Sequence, residues 1–164
     1  MPKKIARFEK VAEEVYEKYT TIPGLVKYED IILPKRATTG SAGYDFYAPF
    51  EINLKPNESM IVPTFIKAKI SDSWVLQLYP KSGLGFKYHL HLANTVGIVD
   101  SDYYYSDNGG NINIKLVNDG DSDIRILPGE KFAQGIFMQY GITVDDDEDS
   151  KTTRVGGFGS TGKW

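Results

Sequence analysis

Cysteine is absent from the 164-residue chain, which excludes a disulfide framework, a thiol nucleophile and a Cys-ligated zinc site at once. Histidine is scarce. His89 and His91 are the 2 in the sequence; on extended chain they share a face, but without a third ligand nearby they define no metal centre. No apolar run approaches the roughly 20 residues that a membrane helix needs. The first 18 residues are charged throughout rather than patterned as a signal peptide. A cytoplasmic location and no membrane partner are therefore the expectation. A basic stripe is missing too: 19 Lys and Arg stand against 22 Asp and Glu, for a net charge of −3, so no long nucleic acid is expected as a partner. A small anion is a different matter, because a few cations, backbone N–H groups and a metal can hold one on an acidic protein. The H-E-x-x-H, G-x-S-x-G and EF-hand patterns do not occur.

What is present reads as a soluble globular chain, 41 % hydrophobic and 25 % charged, of a length that suits one domain with short appendages. Across residues 5–19 the apolar positions Ile5, Phe8, Val11, Ala12, Val15, Tyr16 and Tyr19 recur at helical steps, with Glu and Lys between them. This predicts a helical extension over 1–24, ended by Thr20, Thr21, Pro23 and Gly24, whose apolar stripe must lie on its own domain or on a neighbouring subunit. From 25 to 144 the pattern changes to short runs rich in Ile, Val, Tyr and Phe, near 27–33, 43–48, 60–70, 74–79, 112–117, 124–127 and 132–143. Pro, Gly, Asn and Asp punctuate them, which predicts an all-β sandwich, jelly roll or barrel. Asn111-Ile112-Asn113-Ile114-Lys115-Leu116 alternates cleanly, so one face is expected to be buried. No second helix of convincing length is visible. The final segment, 145–164, begins with the acidic run Asp145-Asp146-Asp147-Glu148-Asp149 and ends with Gly156, Gly157, Gly159 and Gly162. Such a composition builds no core and predicts a mobile arm.

Several motifs carry chemistry at differing strength. Gly157-Phe158-Gly159-Ser160-Thr161-Gly162-Lys163 fits both G-x-G-x-x-G and most of a P-loop, yet both motifs need a helix to follow, and Trp164 stands where the P-loop requires Ser or Thr. What survives is the capacity of glycine backbone and two hydroxyls to bind phosphate. Pro80-Lys81-Ser82-Gly83-Leu84-Gly85 follows an apolar run and offers a cation, a hydroxyl and a bendable backbone. Taken alone it is more often a solvated turn than a phosphate cradle. In Asn94-Thr95-Val96-Gly97-Ile98-Val99-Asp100-Ser101-Asp102-Tyr103, an apolar pair runs into two carboxylates and a ring. Asp100 and Asp102 share a face if extended, either as a base with its support or as ordinary turn residues.

The order of these motifs is more specific than any one of them. Ser41-Ala42-Gly43-Tyr44-Asp45, the Pro80–Gly85 hexapeptide, Val96 to Tyr103, Gly129-Glu130-Lys131-Phe132-Ala133-Gln134, and Arg154 with the glycine-rich tail resemble the motifs of trimeric dUTPases, in the family order. The beginning of the chain looks like the longer bacterial or phage form. The resemblance implies a jelly-roll-like β barrel with a glycine-rich C-terminal arm, a homotrimer with shared sites, and metal-assisted hydrolysis of dUTP to dUMP and pyrophosphate. That reaction keeps uracil out of DNA and supplies dUMP for thymidylate synthesis. By motif, Asp100 would hold and activate the attacking water and lie at the sugar 3′-hydroxyl. Tyr103 would pack under the deoxyribose and exclude a 2′-hydroxyl. Asn94, with Gly97, Ile98, Val99 and Asn113 of the 94–113 hairpin, would read uracil. Lys81, Ser82, Gly83 and Gln134 would hold the phosphates, with Mg²⁺ bridging their oxygens and Asp45 touching the metal through water. Arg154, Gly159, Ser160 and Thr161 would close on the γ-phosphate while Phe158 stacks on the base.

The sequence departs from the family pattern in detail. Lys81 and Lys131 stand where Arg is usual, which keeps charge but gives up the bidentate fork. The Arg154 to Phe158 spacing is one residue short, and Tyr104-Tyr105-Ser106-Asp107-Asn108 lengthens the segment after Tyr103. Two alternatives compete: a dCTP deaminase of the same fold, which needs a further carboxylate at the pyrimidine C4, and a nucleotide-sensing interaction protein that uses the longer loop as a surface.

Overall fold

The computed structural model describes residues 2–146, 151, 152, 154, 156 and 157. Its strands are β1 Ala6–Lys10, β2 Lys35–Arg36, β3 Tyr44–Tyr47, β4 Ile52–Leu54, β5 Ser59–Pro63, β6 Ile66–Ile70, β7 Trp74–Pro80, β8 Leu90–Leu92, β9 Gly97–Val99, β10 Asn113–Asn118, β11 Ile124–Ile126 and β12 Lys131–Gln139. Two short helices join them, α1 Glu13–Glu17 and α2 Ser82–Tyr88. The fold is all-β and jelly-roll-like. Its largest sheet has the order β2-β3-β12-β7-β9, beside β5-β10-β8 and the pairs β11-β4 and β1-β6. Among the described residues no helix is long and apolar enough to cross a membrane.

Alternation builds the core. Ile66, Ala68 and Ile70 of β6 point inward, as do Ile114 and Leu116 of β10 and Ile124 and Ile126 of β11, each spaced by two as a half-buried strand requires. Ile112, Ile114 and Leu116 are buried as the alternating run predicts. The side chain of Asn111 is also buried, where its Oδ1 accepts from Phe65 N at 2.9 Å. That bond closes the turn between β5 and β6, where Phe65 has φ 59°, and it splits the apolar run of 60–70 into two strands.

The N-terminal helix expected over 5–19 is corrected. Residues Ala6–Lys10 pair antiparallel with β6, from Ala6 opposite Ile70 to Lys10 opposite Ile66, and the helix is confined to Glu13–Glu17. Tertiary demand overrides local pattern here. The edge of β6 gains a partner, and Phe8 meets the rings of Tyr44, Phe46 and Phe137 at 5.3, 5.7 and 5.6 Å between centroids. The rings of Tyr16 and Tyr19 each lie 5.3 Å from that of Phe65, so the apolar stripe is spent on the chain's own core. Two smaller corrections follow. The 27–33 run is a 3₁₀ turn at Tyr28–Asp30 rather than a strand, and the last strand ends at Gln139 rather than continuing to 143.

Candidate active site

β12 lies between β3 and β7, so Gln134 stands opposite Asp45 on one side and Tyr79 on the other. This register gathers the first cluster. Asp45 is 3 % exposed. Lys81, directly after β7, reaches its Oδ1 at 2.6 Å, and Lys131, at the start of β12, lies 2.8 Å from its Oδ2. Burial alone would raise the Asp45 pKa, but the Lys131 and Lys81 ammonium groups outweigh it and hold the carboxyl below its usual range. Lys131 is raised in turn by its bond and charge contact with Asp45. Gln134 Nε2 donates to Pro80 O at 3.2 Å. Its Oε1 lies where a Cβ on residue 43 would stand, so the glycine at 43 makes room for it. Two cations around one carboxylate leave a net positive patch, suited to an anion. The Pro80–Gly85 segment, read in isolation as a turn, is a strand end that runs into α2; Ser82 and Gly83 form its exposed first turn.

A second cluster follows β9. Asp100 precedes the 3₁₀ turn Ser101–Tyr105. Arg154 bridges both carboxylates of that turn, with Nη2 2.7 Å from Asp100 Oδ2 and Nε 2.9 Å from Asp102 Oδ1. The guanidinium carbon lies 5.9 Å from the centre of the Tyr103 ring. Tyr103 is buried; its hydroxyl donates to Asn111 O at 2.8 Å and accepts from Asn108 Nδ2 at 2.9 Å. Burial pushes this phenol above its ordinary value, with the Asn108 bond offsetting part of the rise, so it is protonated at neutral pH.

A cavity of about 340 Å³ has Leu78, Leu92 and Ile114 in its lining and Asn94, Gly97 and Asn113 beside them. It exists because the 94–113 segment is not the narrow hairpin expected. β9 pairs with β7, whereas β10 pairs with β5 and β8, so the two strands part and leave an apolar cleft. A Cβ on Gly97 would lie 2.9 Å from Leu78 Cβ, so glycine keeps the cleft open. Of the neighbouring candidates, Ile98 turns outward and Val99 enters the core; both can offer only backbone to a ligand in the cleft.

One chain does not bring all the candidates together. Asp45 is level with Tyr79, and Asp100 follows Val99, which is opposite Leu76. With three strand spacings from β3 to β9, Asp45 and Asp100 stand about 14 Å apart across the sheet and about 13 Å along it, roughly 20 Å in all. Phe158, Gly159, Ser160 and Thr161 lie outside the described residues. Sequence reasoning gave Lys131 no role in the site, left Asp102 open between the support of a base and a turn residue, and named Asn108 and Asn111 without a role.

A jelly-roll-like fold with a lysine pair, a carboxylate turn and an apolar cleft defines an all-β protein with cationic and apolar surface on one chain. Residues 29–162 match the family model described as dUTPase. The deoxyuridine 5′-triphosphate nucleotidohydrolase of Lactococcus lactis is 39 % identical over 141 residues, covering 84 % of this chain and 94 % of the relative. That of Tolumonas auensis is 38 % identical over 137 residues, covering 80 % and 87 %. The crystal structure of the Streptococcus mutans dUTPase superposes with a TM-score of 0.67 at 30 % identity, over 83 % of this chain and 97 % of that one. The chain belongs to the dUTPase family.

Proposed function

We propose that this enzyme of the dUTPase family hydrolyses dUTP to dUMP and pyrophosphate, keeping uracil out of DNA and supplying dUMP for thymidylate synthesis. The observation that carries the reading is the apolar cleft framed by Asn94, Gly97 and Asn113, at the far end of the short strand that delivers Asp100. Uracil enters the cleft, where the amide of Asn94 and the strand backbones meet its polar edge. Asp100, half-exposed, accepts a hydrogen bond from a water and takes its proton as the water attacks the α-phosphorus. The bond from that phosphorus to the bridging oxygen breaks, and pyrophosphate leaves. Lys81, Ser82 and Gln134 bind the charge of the phosphate chain, and Tyr103 walls the sugar on the side of its 2′-carbon.

The residues fit magnesium as a companion of the triphosphate. Among the described residues no three His, Asp or Glu side chains converge as ligands, and Asp45 is already paired with two lysines. Beside the phosphates the ion would neutralise charge, and Asp45 would hold it through water. Arg154 holds Asp100 and Asp102 in the free chain; a phosphate competes for the same guanidinium, which then closes with Phe158, Gly159, Ser160 and Thr161 over the substrate.

The sites are shared among three copies. The lysine cluster and Asp100 of one chain are too far apart for one nucleotide's phosphates to meet both, so a complete site takes them from different subunits. Exposed Ile61, Ile98 and Phe86 leave apolar surface for that contact. Asp100→Asn tests the mechanism: hydrolysis should fall by about 100-fold or more while calorimetry still detects dUTP binding. Full activity in the variant would contradict the role of Asp100.

A further inference from the structure

The five residues Tyr104 to Asn108, which lengthen the chain after Tyr103, have no task in the reaction above. Their hydrogen bonds show one. Asn108 uses its whole amide: Nδ2 donates to Tyr103 Oη at 2.9 Å and to Asn111 O at 3.0 Å, while Oδ1 accepts from Gly110 N at 3.1 Å. A backbone N–H can only donate, so the Gly110 contact fixes which end of the amide is oxygen. The nitrogen therefore faces the phenol, and the phenol's own proton goes to Asn111 O at 2.8 Å. The Ser106 hydroxyl lies 2.7 Å from both Asn108 Oδ1 and Tyr103 O, its single proton serving one at a time.

The loop that carries Asn108 is itself tied down on both sides. Gly109 and Gly110 have φ of 73° and 74°, and a Cβ on Gly110 would lie 2.7 Å from Tyr104 O, so this return of the chain requires glycine. On the outer side, Tyr104 donates to Glu9 Oε2 of β1 at 2.8 Å, and the Lys67 ammonium of β6 lies 4.4 Å from its ring centre. The N-terminal strand thus braces the lengthened loop, and the loop braces the Tyr103 hydroxyl.

We propose that Asn108 is a positioning residue for sugar discrimination, which holds the Tyr103 ring so that it cannot yield to a 2′-hydroxyl. Steric exclusion rejects a ligand only to the extent that the wall is stiff; a ring free to shift by a fraction of an ångström admits the extra oxygen. Asn108 grips the ring at its hydroxyl end. The proposal rests on the reading of Tyr103 as the sugar wall.

The test is kcat/KM for dUTP and for UTP in the full-length protein and in Asn108→Ala, Tyr103→Phe and Tyr103→Ala. Asn108→Ala should lower the dUTP-to-UTP ratio by about tenfold, through a rise in kcat/KM for UTP, a gain that loss of structure cannot produce. Tyr103→Phe keeps the ring and removes its grip, so it should relax the ratio in the same direction and decides the matter if Asn108→Ala does not fold. If Tyr103→Ala lowers the ratio but Asn108→Ala and Tyr103→Phe leave it unchanged, the positioning role is overturned. If Tyr103→Ala leaves it unchanged, the sugar-wall reading itself fails and the inference with it.

Discussion

Arg154 Nη2 lies 2.7 Å from Asp100 Oδ2, so Arg154 is docked on the carboxylate that the proposed reaction needs free to hold water. Its Nε holds Asp102 in the same grip, and the Arg154 side chain is only 12 % exposed. Planar two-point recognition of this kind suits Arg and not Lys, whose ammonium is a single point charge.

The same fork is the one a phosphate would take over from Asp100 and Asp102, so Arg154→Lys should lower kcat/KM for dUTP by about tenfold, the equivalent of one charge-assisted hydrogen bond. Steady-state kinetics at low salt would show it. An unchanged rate would mean that charge alone, without the fork, is what this position supplies.

Asp45 makes acid stability predictable. Its folded pKa is depressed below the ordinary 3.8, burial being more than offset by Lys131 and Lys81. A group with a depressed folded pKa contributes stability that is fully present above its unfolded value and is lost as pH falls through the folded one. Thermal melts should hold steady in this respect above about pH 5 and fall below about pH 4, and Asp45→Asn should flatten that fall. The same variant should melt lower at neutral pH, by about 2 kcal/mol of stability.

Gly97→Ala should act on the cleft. The new methyl would stand 2.9 Å from Leu78 Cβ and 3.1 Å from its Cδ1; accommodating it costs about 1–3 kcal/mol and moves Leu78 in the lining. Calorimetric melts should show the loss in stability, and the KM for dUTP should rise more than kcat falls. A variant with wild-type KM would remove the cleft from the binding site.

Much of this was legible in the sequence, in uneven ways. The inward faces of β6 and β10 follow from period-2 alternation, and motif order pointed to Asp45, Lys81, Asp100 and Arg154 together. Phe8 shows where local reading fails: its helical spacing is genuine, but the edge of β6 and three aromatic rings claimed it for a strand. Ion pairs are as hard to foresee, because Lys81 and Asp45 are 36 positions apart and only the β3-β12-β7 register brings them together. Helix α2 was hidden by Pro80, Gly83 and Gly85, which read as a turn. The separation of Asp45 from Asp100 could not be read at all, since strand order within a sheet leaves no mark on the residues. The sequence marks Asn108 only as part of a lengthened segment; the bonds of its amide come from the fold.

The decisive measurement is pyrophosphate release from dUTP, dTTP, dCTP and UTP side by side, with Mg²⁺ and with EDTA. Rapid release is expected from dUTP alone, with its loss in EDTA. Absence of release from dUTP with Mg²⁺ would contradict it and leave the cleft and the lysine pair as a binding site without turnover, while comparable release from UTP would contradict the role given to Tyr103.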